Sequence, residues 1–413
     1  MNGTNRSPGA RVLDVLGSFG LCCVLLLCLF VLTVLGTLYQ VDHGLYAAKA
    51  RFFSSWFLWW QPTERVSLPV FPGGITCMLV LAANMLVGGL YRVRFDSRRA
   101  GVVIVHLGIA FLLIAGLVKM LSAVEGHLTL YEGEQADYFQ SYHDWEVAVW
   151  EVGGAQPGRE HVIDDPLLRD LEGGRSRTFV LPGLPFELVL SDFVPNSRVL
   201  PKGPRWTAVG PVVDGFALQK LSLEKEAEQN IAGLHVAVRD GGAVQRGILW
   251  GLDTGTGPDT WTFRAGDRDW AVRLGHARYP MPFSIRLDDF EKEDHPGISM
   301  AKAFRSRVTK LQAGTTYASS APDGRAEPVL IQMNEPLRDG GLVLFQSSWG
   351  PGNAGPRDRL FSVFSVVRNP SDRWPELSLW VITAGLLLAF GRKLFVTVRA
   401  QIELRGAAER TAA

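Results

Sequence analysis

Among the eight histidines of this 413-residue chain, one stands apart by its surroundings. His106 lies in Val102-Val-Ile-Val-His-Leu-Gly-Ile-Ala-Phe-Leu-Leu113, a run without formal charge. An ionisable side chain in hydrocarbon is costly, so such a residue marks a functional site by default. A neutral imidazole with a free ring nitrogen is also a good axial ligand for haem iron. The alternative, a structural histidine hydrogen-bonding a neighbouring helix, fits the residue types equally well. His106 falls toward the cytoplasmic side of its run, where a ligand would be captured early in an outward journey. His43 and His127 each follow the end of an apolar run by a few residues. They are secondary positions for an axial ligand on the exit side, although loop histidines are more commonly just solvated. His143, His161, His235, His276 and His295 are scattered without metal-ligand spacing, and His235 reads as a structural residue in mid-strand. Ser-His-Asp order, a Walker loop, HExxH and Cys-x-x-Cys-His are all absent from the sequence, which leaves no support for a conventional hydrolase, an ATPase or a c-type cytochrome.

The elements that must position His106 are membrane spans. Val15–Val41 carries no formal charge and is long enough to cross a bilayer, which takes roughly 20 apolar residues. With no small-x-small site closing the run, it reads as an uncleaved anchor. The first domain, 1–121, holds three spans at about 15–40, 73–91 and 100–120. A fourth lies in 376–413, where Leu377–Gly391 is short and Arg392 and Lys393 must snorkel. Arginines concentrate in Arg92-Val-Arg-Phe-Asp-Ser-Arg-Arg99, and positive loops stay inside. Arg6, Arg11 and the tail residues Arg392, Lys393, Arg399 and Arg405 agree, so both termini are predicted cytoplasmic in a cell inner (cytoplasmic) membrane. Residues 122–375 then lie on the periplasmic or outer side. Gly88, Gly89, Gly108 and Gly116 allow close helix packing. Trp56-Phe-Leu-Trp-Trp60, read as helical, would place its three tryptophans on one face as an interfacial anchor.

The 122–375 region is all-β in pattern. Trp145–Trp150, Leu234–Arg239 and Trp270–Leu274 alternate with period two between Gly, Pro, Asp and Asn clusters, as in a sandwich or barrel. Pro185-Phe-Glu-Leu-Val-Leu-Ser-Asp-Phe193 is echoed by Pro282-Phe-Ser-Ile-Arg-Leu-Asp-Asp-Phe290, which suggests two related β units or two similar amphipathic strands. The cysteines Cys22, Cys23, Cys28 and Cys77 lie in or beside the first two spans, so this region has no disulfide framework. Buried in lipid, they read as small apolar residues. A net charge of +1 argues against a nucleic-acid partner.

Four transmembrane helices with a large sandwich-like β domain between helices three and four resemble the ResB (CcsB) family of system II cytochrome c biogenesis. The motifs are Leu16-Gly-Ser-Phe19, Gly36-Thr37 with Gln40, His106-Leu-Gly108, Gly126-His-Leu-Thr-Leu-Tyr-Glu-Gly133, Asn334-Glu-Pro-Leu337 and Gly341-Leu-Val-Leu-Phe-Gln-Ser-Ser-Trp349. Leu342 and Leu344 stand where the family often has aromatics. The resemblance implies haem delivery across the membrane with a ResC/CcsA-type partner. Haem b, transported or transiently bound, would then be attached covalently to the thiols of apocytochrome c. It implies His106 as one axial ligand, with the other supplied by the partner. The chain lacks the partner's tryptophan-rich display motif, so it is not expected to be a synthase alone. The alternatives are a membrane-anchored β scaffold that docks apocytochrome or thiol-redox partners without haem, and an envelope sensor, which the small inner loop disfavours.

Overall fold

A computed structural model of the chain describes residues 8–63, 66–91, 99–153, 159–203, 210–253, 259–297, 301–312, 326–351 and 359–412. Arg6 and the basic stretch 92–98, on which the orientation argument leans, fall outside them. The chain divides into two compact units, 1–123 with 369–413, and 124–368.

In the first unit, α1 (Pro8–Leu16) breaks at Gly17, and Ser18 caps α2 (Phe19–Ala48) by accepting from Leu21 N at 3.2 Å. The buried Asn84, at the end of α3 (Gly74–Asn84), donates through Nδ2 to the carbonyls of Leu16 (2.5 Å) and Ser18 (3.0 Å). The Leu16-Gly-Ser-Phe motif is thus a helix break whose freed carbonyls are satisfied by a side-chain amide, as apolar surroundings require. α2 breaks again at Gly44 (φ 80, ψ 165). The chain then folds back through a π-helical turn, Lys49–Phe53, which packs on Gly36.

Next come β1 (Phe57–Thr63) and β2 (Val66–Pro72), an antiparallel hairpin. Phe57–Trp60 is therefore strand, and the condition for the three tryptophans to share one face, a helical winding, is not met. Successive strand residues alternate faces, so Trp59 and Trp60 point opposite ways, and the paired segment carries Pro69 and Pro72, which suit an edge strand and not a helix interior. After α3 a second π-helical turn, Met85–Tyr91, leads toward α4 (Ala100–Ser122).

α4 packs on the last helix, Trp374–Ala412, through small residues. A Cβ on Gly101 would meet Ala389 N at 2.6 Å and Gly385 O at 2.7 Å, and one on Gly385 would meet Gly101 O at 2.9 Å. The two backbones touch where each helix lacks a side chain. Among the described residues three helices are long and apolar enough to cross a membrane: Phe19–Phe53, Ala100–Ser122 and Trp374–Ala407. The second expected span is a shorter apolar helix, Gly74–Gly89.

The second unit is β-rich. Its strands are β3 (Val124–Tyr131), β4 (Gln135–Glu151), β5 (His161–Asp164), β6 (Ser176–Phe179), β7 (Glu187–Val194) and β8 (Ser197–Pro201). They continue with β9 (Val212–Val213), β10 (Phe216–Lys220), β11 (Gly233–Asp240), β12 (Ala243–Trp250), β13 (Thr260–Ala265) and β14 (Arg268–Asp294). The last are β15 (Ala301–Gln312), β16 (Ala326–Gln332), β17 (Leu337–Asp339), β18 (Leu342–Gly350) and β19 (Phe361–Arg368).

The largest sheet runs β16-β15-β14-β4-β3-β19-β18-β17, with β13 on β14 and β5 on β4. Its two ends meet where Gln332 bridges Glu335, so the sheet nearly closes on itself. A plain sandwich is corrected accordingly: the sandwich describes only one half. There, the sheet β12-β11-β7-β6 covers the Trp145–Glu151 and Arg268–Leu274 stretches over a core of Phe186, Leu188, Leu190, Leu234, Val236 and Trp270. The other half is barrel-like, filled by Leu128, Phe139, Ile285, Leu287, Leu344 and Phe364.

The two echoed segments feed these separate cores, burying Phe186, Leu188, Leu190 and Phe193 in one copy and Phe283, Ile285, Leu287 and Phe290 in the other. Each is interrupted at its aspartates: Asp192 has φ 53, and the register slips between Leu287 and Asp289. That slip explains why the final Phe faces inward three residues after the preceding Leu.

The family-like motifs of this unit are structural. Asn334 adopts φ 68 to turn β16 into β17, with Glu335 N donating to Gln332 O at 3.0 Å. Leu342 and Leu344, which stand where the resembled family often has aromatics, are buried in the barrel core. Gln346 joins Ser306 and Ser362 inside it. Ser306 Oγ donates to Gln346 Oε1 (2.6 Å), and Gln346 Nε2 donates to Ser362 Oγ (2.7 Å).

Candidate functional site

His106 lies in α4, and its Nδ1 is 2.8 Å from the Val102 carbonyl, one turn earlier. A carbonyl only accepts, so Nδ1 carries the proton and Nε2 keeps its lone pair. Among the described residues Nε2 has no hydrogen-bond partner. The opposite wall is Gly89, in the π-helical turn after α3: a Cβ there would lie 2.4 Å from His106 Cδ2. The imidazole therefore rests on bare backbone. Gly88, the residue before, sits against Gly17, where a Cβ would lie 3.0 Å from the Gly17 carbonyl oxygen. These contacts assemble the α1–α2 break, the π turn and His106 at one end of the helical unit. A π-helical turn at such a place is a frequent mark of function. The arrangement can present a single oriented imidazole lone pair beside small residues, which suits axial ligation of a flat metal macrocycle.

His43 is not in a loop: it ends the helical stretch of α2 just before the break at Gly44. Its Nδ1 is 3.2 Å from the Tyr39 carbonyl, and its ring stacks on Tyr39 with centroids 3.9 Å apart. It has the same backbone tether as His106, but lies near the opposite end of α2 from the Gly17 break. The structure does not bring the two together. His127 belongs to the other unit, in β3, where it is half-buried and its Nδ1 is shut off from solvent.

His127 has as neighbours histidines that lie far from it in the sequence. His127 and His276 have ring centroids 6.1 Å apart, His127 and Tyr142 5.2 Å, and His276 stacks on Trp145 at 4.1 Å. Gly251 makes room, since a Cβ there would strike the Trp145 ring at 2.2 Å. The Nδ1 atoms of His127 and His276 are buried without a hydrogen-bond partner. Burial first, and then His127 and His143, push the His276 imidazole down to about 4; burial likewise lowers His127. Nearby Tyr279, whose hydroxyl donates to Asp144 Oδ2 at 3.0 Å, is pushed up to about 12 by burial and that carboxylate. No group of His, Cys, Asp or Glu among the described residues has a metal-holding arrangement. Both shifts favour the neutral form of His127 and His276. Residues 127, 143 and 276 come together through the pairing of β3, β4 and β14, which sequence spacing does not reveal.

A cleft of about 360 Å³ opens beside β12. Phe216, Trp250 and Trp261 line it together with the carboxylates of Asp214 and Asp259. Trp261 lies flat on Gly247, where a Cβ would approach its ring to 2.9 Å.

Residues 259–358 match the model of the ResB-like family. The matched stretch runs from the start of β13 past β18, and includes the Asn334 turn and Gln346. His43, His106 and His127 lie outside it. A search among curated proteins finds no match.

Proposed function

Starting from the ResB-like character of residues 259–358, we propose that the chain is a haem-handling membrane subunit in cytochrome c maturation of the system II kind. In this reading it works with a ResC/CcsA-type partner to deliver haem across the membrane for attachment to apocytochrome c. One observation carries the proposal: His106 is tethered through Nδ1 to Val102 O and laid against Gly89, which leaves Nε2 as an oriented ligand. Haem is the cargo, and His106 would supply one axial nitrogen. The second would come from the partner, because His43 lies at the other end of α2. The three basic clusters support a large domain on the outer side and cytoplasmic termini.

The test is to co-express the chain with a ResC-type partner, purify the complex in detergent, and record oxidised and reduced visible spectra with and without His106→Ala. Soret and α bands that vanish or shift in a variant that still inserts are the expected result. Unchanged haem content and spectra would refute His106 as a ligand.

The cleft of Phe216, Trp250 and Trp261 favours a second reading, in which the β unit docks a polypeptide partner and touches no haem. That reading expects His106→Asn to mature cytochromes normally and Trp250→Ala not to.

A further inference from the structure

The loop between the first two apolar helices is not built like a loop in water. Phe19 to Gly36 is eighteen residues of α2, about 26 Å from first to last at the helical rise, close to the roughly 30 Å thickness of a bilayer's hydrocarbon core. Past Gly36 the chain climbs to the break at Gly44 and then comes back down. By Phe53 it lies beside Gly36 again, where a Cβ would be 3.0 Å from the Phe53 ring. On the way, Phe52 meets Tyr39 edge-on at 5.5 Å, and the Arg51 guanidinium sits 4.9 Å over the Tyr39 ring.

The β1–β2 hairpin starts from that returned level. Its root is fixed by Gly73 N donating to Trp56 O (2.8 Å) and by Thr76 Oγ1 donating to the same carbonyl (2.6 Å). Leu58 and Phe71, paired across the strands, pack onto a core of Leu32, Phe52 and Cys77. Everything else apolar on the hairpin is open: Trp56, Trp59, Trp60, Leu68 and Val70 are 47–61 % exposed. Lys49 and Arg51, on the returning segment, are exposed as well.

We propose that the returning segment and the hairpin form a lipid-docking element lying in the headgroup–acyl boundary of one leaflet. Trp56, Trp59, Trp60, Leu68 and Val70 contact lipid, and Lys49 and Arg51 stand level with the phosphates. The depth follows from two opposed costs. Open tryptophan and aliphatic surface is poorly placed in water and well placed at the interface. A two-stranded hairpin has two unpaired edges, whose amides cannot be left in hydrocarbon, so the element stops at the boundary, where water and headgroups bond them. Lysine and arginine at that level gain from anionic headgroups.

The inference rests on reading Phe19–Phe53 and Ala100–Ser122 as membrane spans, and the experiment separates the two claims. The full chain, with its four native cysteines replaced by alanine, is labelled with a nitroxide at W59C, L68C or V70C. Labels at L26C, in the exposed face of α2, and at R177C, in the β unit, serve as references. Each protein is placed in nanodiscs of phosphatidylcholine with phosphatidylglycerol, and collisions with oxygen and with a nickel chelate are compared.

The expected result is an oxygen-to-nickel ratio several-fold above that of R177C at all three hairpin sites, and below that of L26C. Ratios equal to R177C would place the hairpin in water and overturn the proposal. Low collision with both reagents would mean that protein, and not lipid, covers it, which also overturns it. A water-like L26C would instead refute the spans themselves.

Discussion

The His106 ring and Gly89 are in contact across two helical elements: a single added methyl on Gly89 would stand 2.4 Å from Cδ2 and 2.8 Å from Cγ of the imidazole. Both atoms belong to the ring, so the side chain would have to swing as a whole. Its Nδ1 bond to Val102 O cannot survive a large swing.

Gly89→Ala should therefore impair haem retention almost as much as removing the imidazole, while Gly116→Ala should not. A Cβ on Gly116 meets only the flexible Met78 Cε, at 3.7 Å. Haem content and Soret position of the partner complex measure both. Equal haem retention in the two variants would show that the ring's position against Gly89 is irrelevant.

The His276 cluster makes the β unit acid-sensitive. Its folded value of about 4 lies below the ordinary 6.5, so the unfolded chain takes up the proton first as pH falls. Stability is full above about 6.5 and is lost progressively down to about 4, by on the order of 3 kcal/mol for this one group. His127, His143, Asp144 and Asp253 are the charged or titratable groups that bear on it. Thermal unfolding of the full chain in detergent should show a lower Tm at pH 5 than at pH 7.5, with the difference reduced in His276→Asn. A pH-independent Tm would contradict this.

Gln346→Leu should destabilise the barrel half by about 1–3 kcal/mol, because the fully buried hydroxyls of Ser306 and Ser362 lose their shared amide. Urea unfolding followed by circular dichroism reads this directly. The loss should be smaller in a Ser306→Ala/Gln346→Leu double variant than the sum of the two single losses.

Gly101→Ala tests the α4 contact with the last helix. Its new methyl faces backbone atoms of Gly385 and Ala389, which cannot rotate away, so the cost should reach roughly 1–3 kcal/mol. Gly391→Ala, with nothing within 4 Å, is the control. Heat-induced aggregation in detergent should begin several degrees lower for the first variant only.

Much of the helical unit could be read from the chain because hydrocarbon makes one strong demand, a long uncharged run, and Val15–Val41 and Ala100–Val118 meet it plainly. His106 was visible for the same reason. The Trp56–Trp60 stretch is ambiguous in the sequence because a short aromatic run fits either helix or strand, and only pairing with Val66–Pro72 decides it. The imidazole cluster was hidden because residues 127 and 276 meet only through β4 between them. Near-closure of the large sheet likewise hangs on a single bridge, Gln332 to Glu335, that no local pattern announces.

β14 spans Arg268 to Asp294 as one strand, bulged where its register slips, and β4 spans Gln135 to Glu151, so the same two strands serve both the sandwich and the barrel. A cut between the two halves would pass through both strands, so each half excised alone would keep only part of β4 and β14 and leave their severed ends without the sheet that continues them.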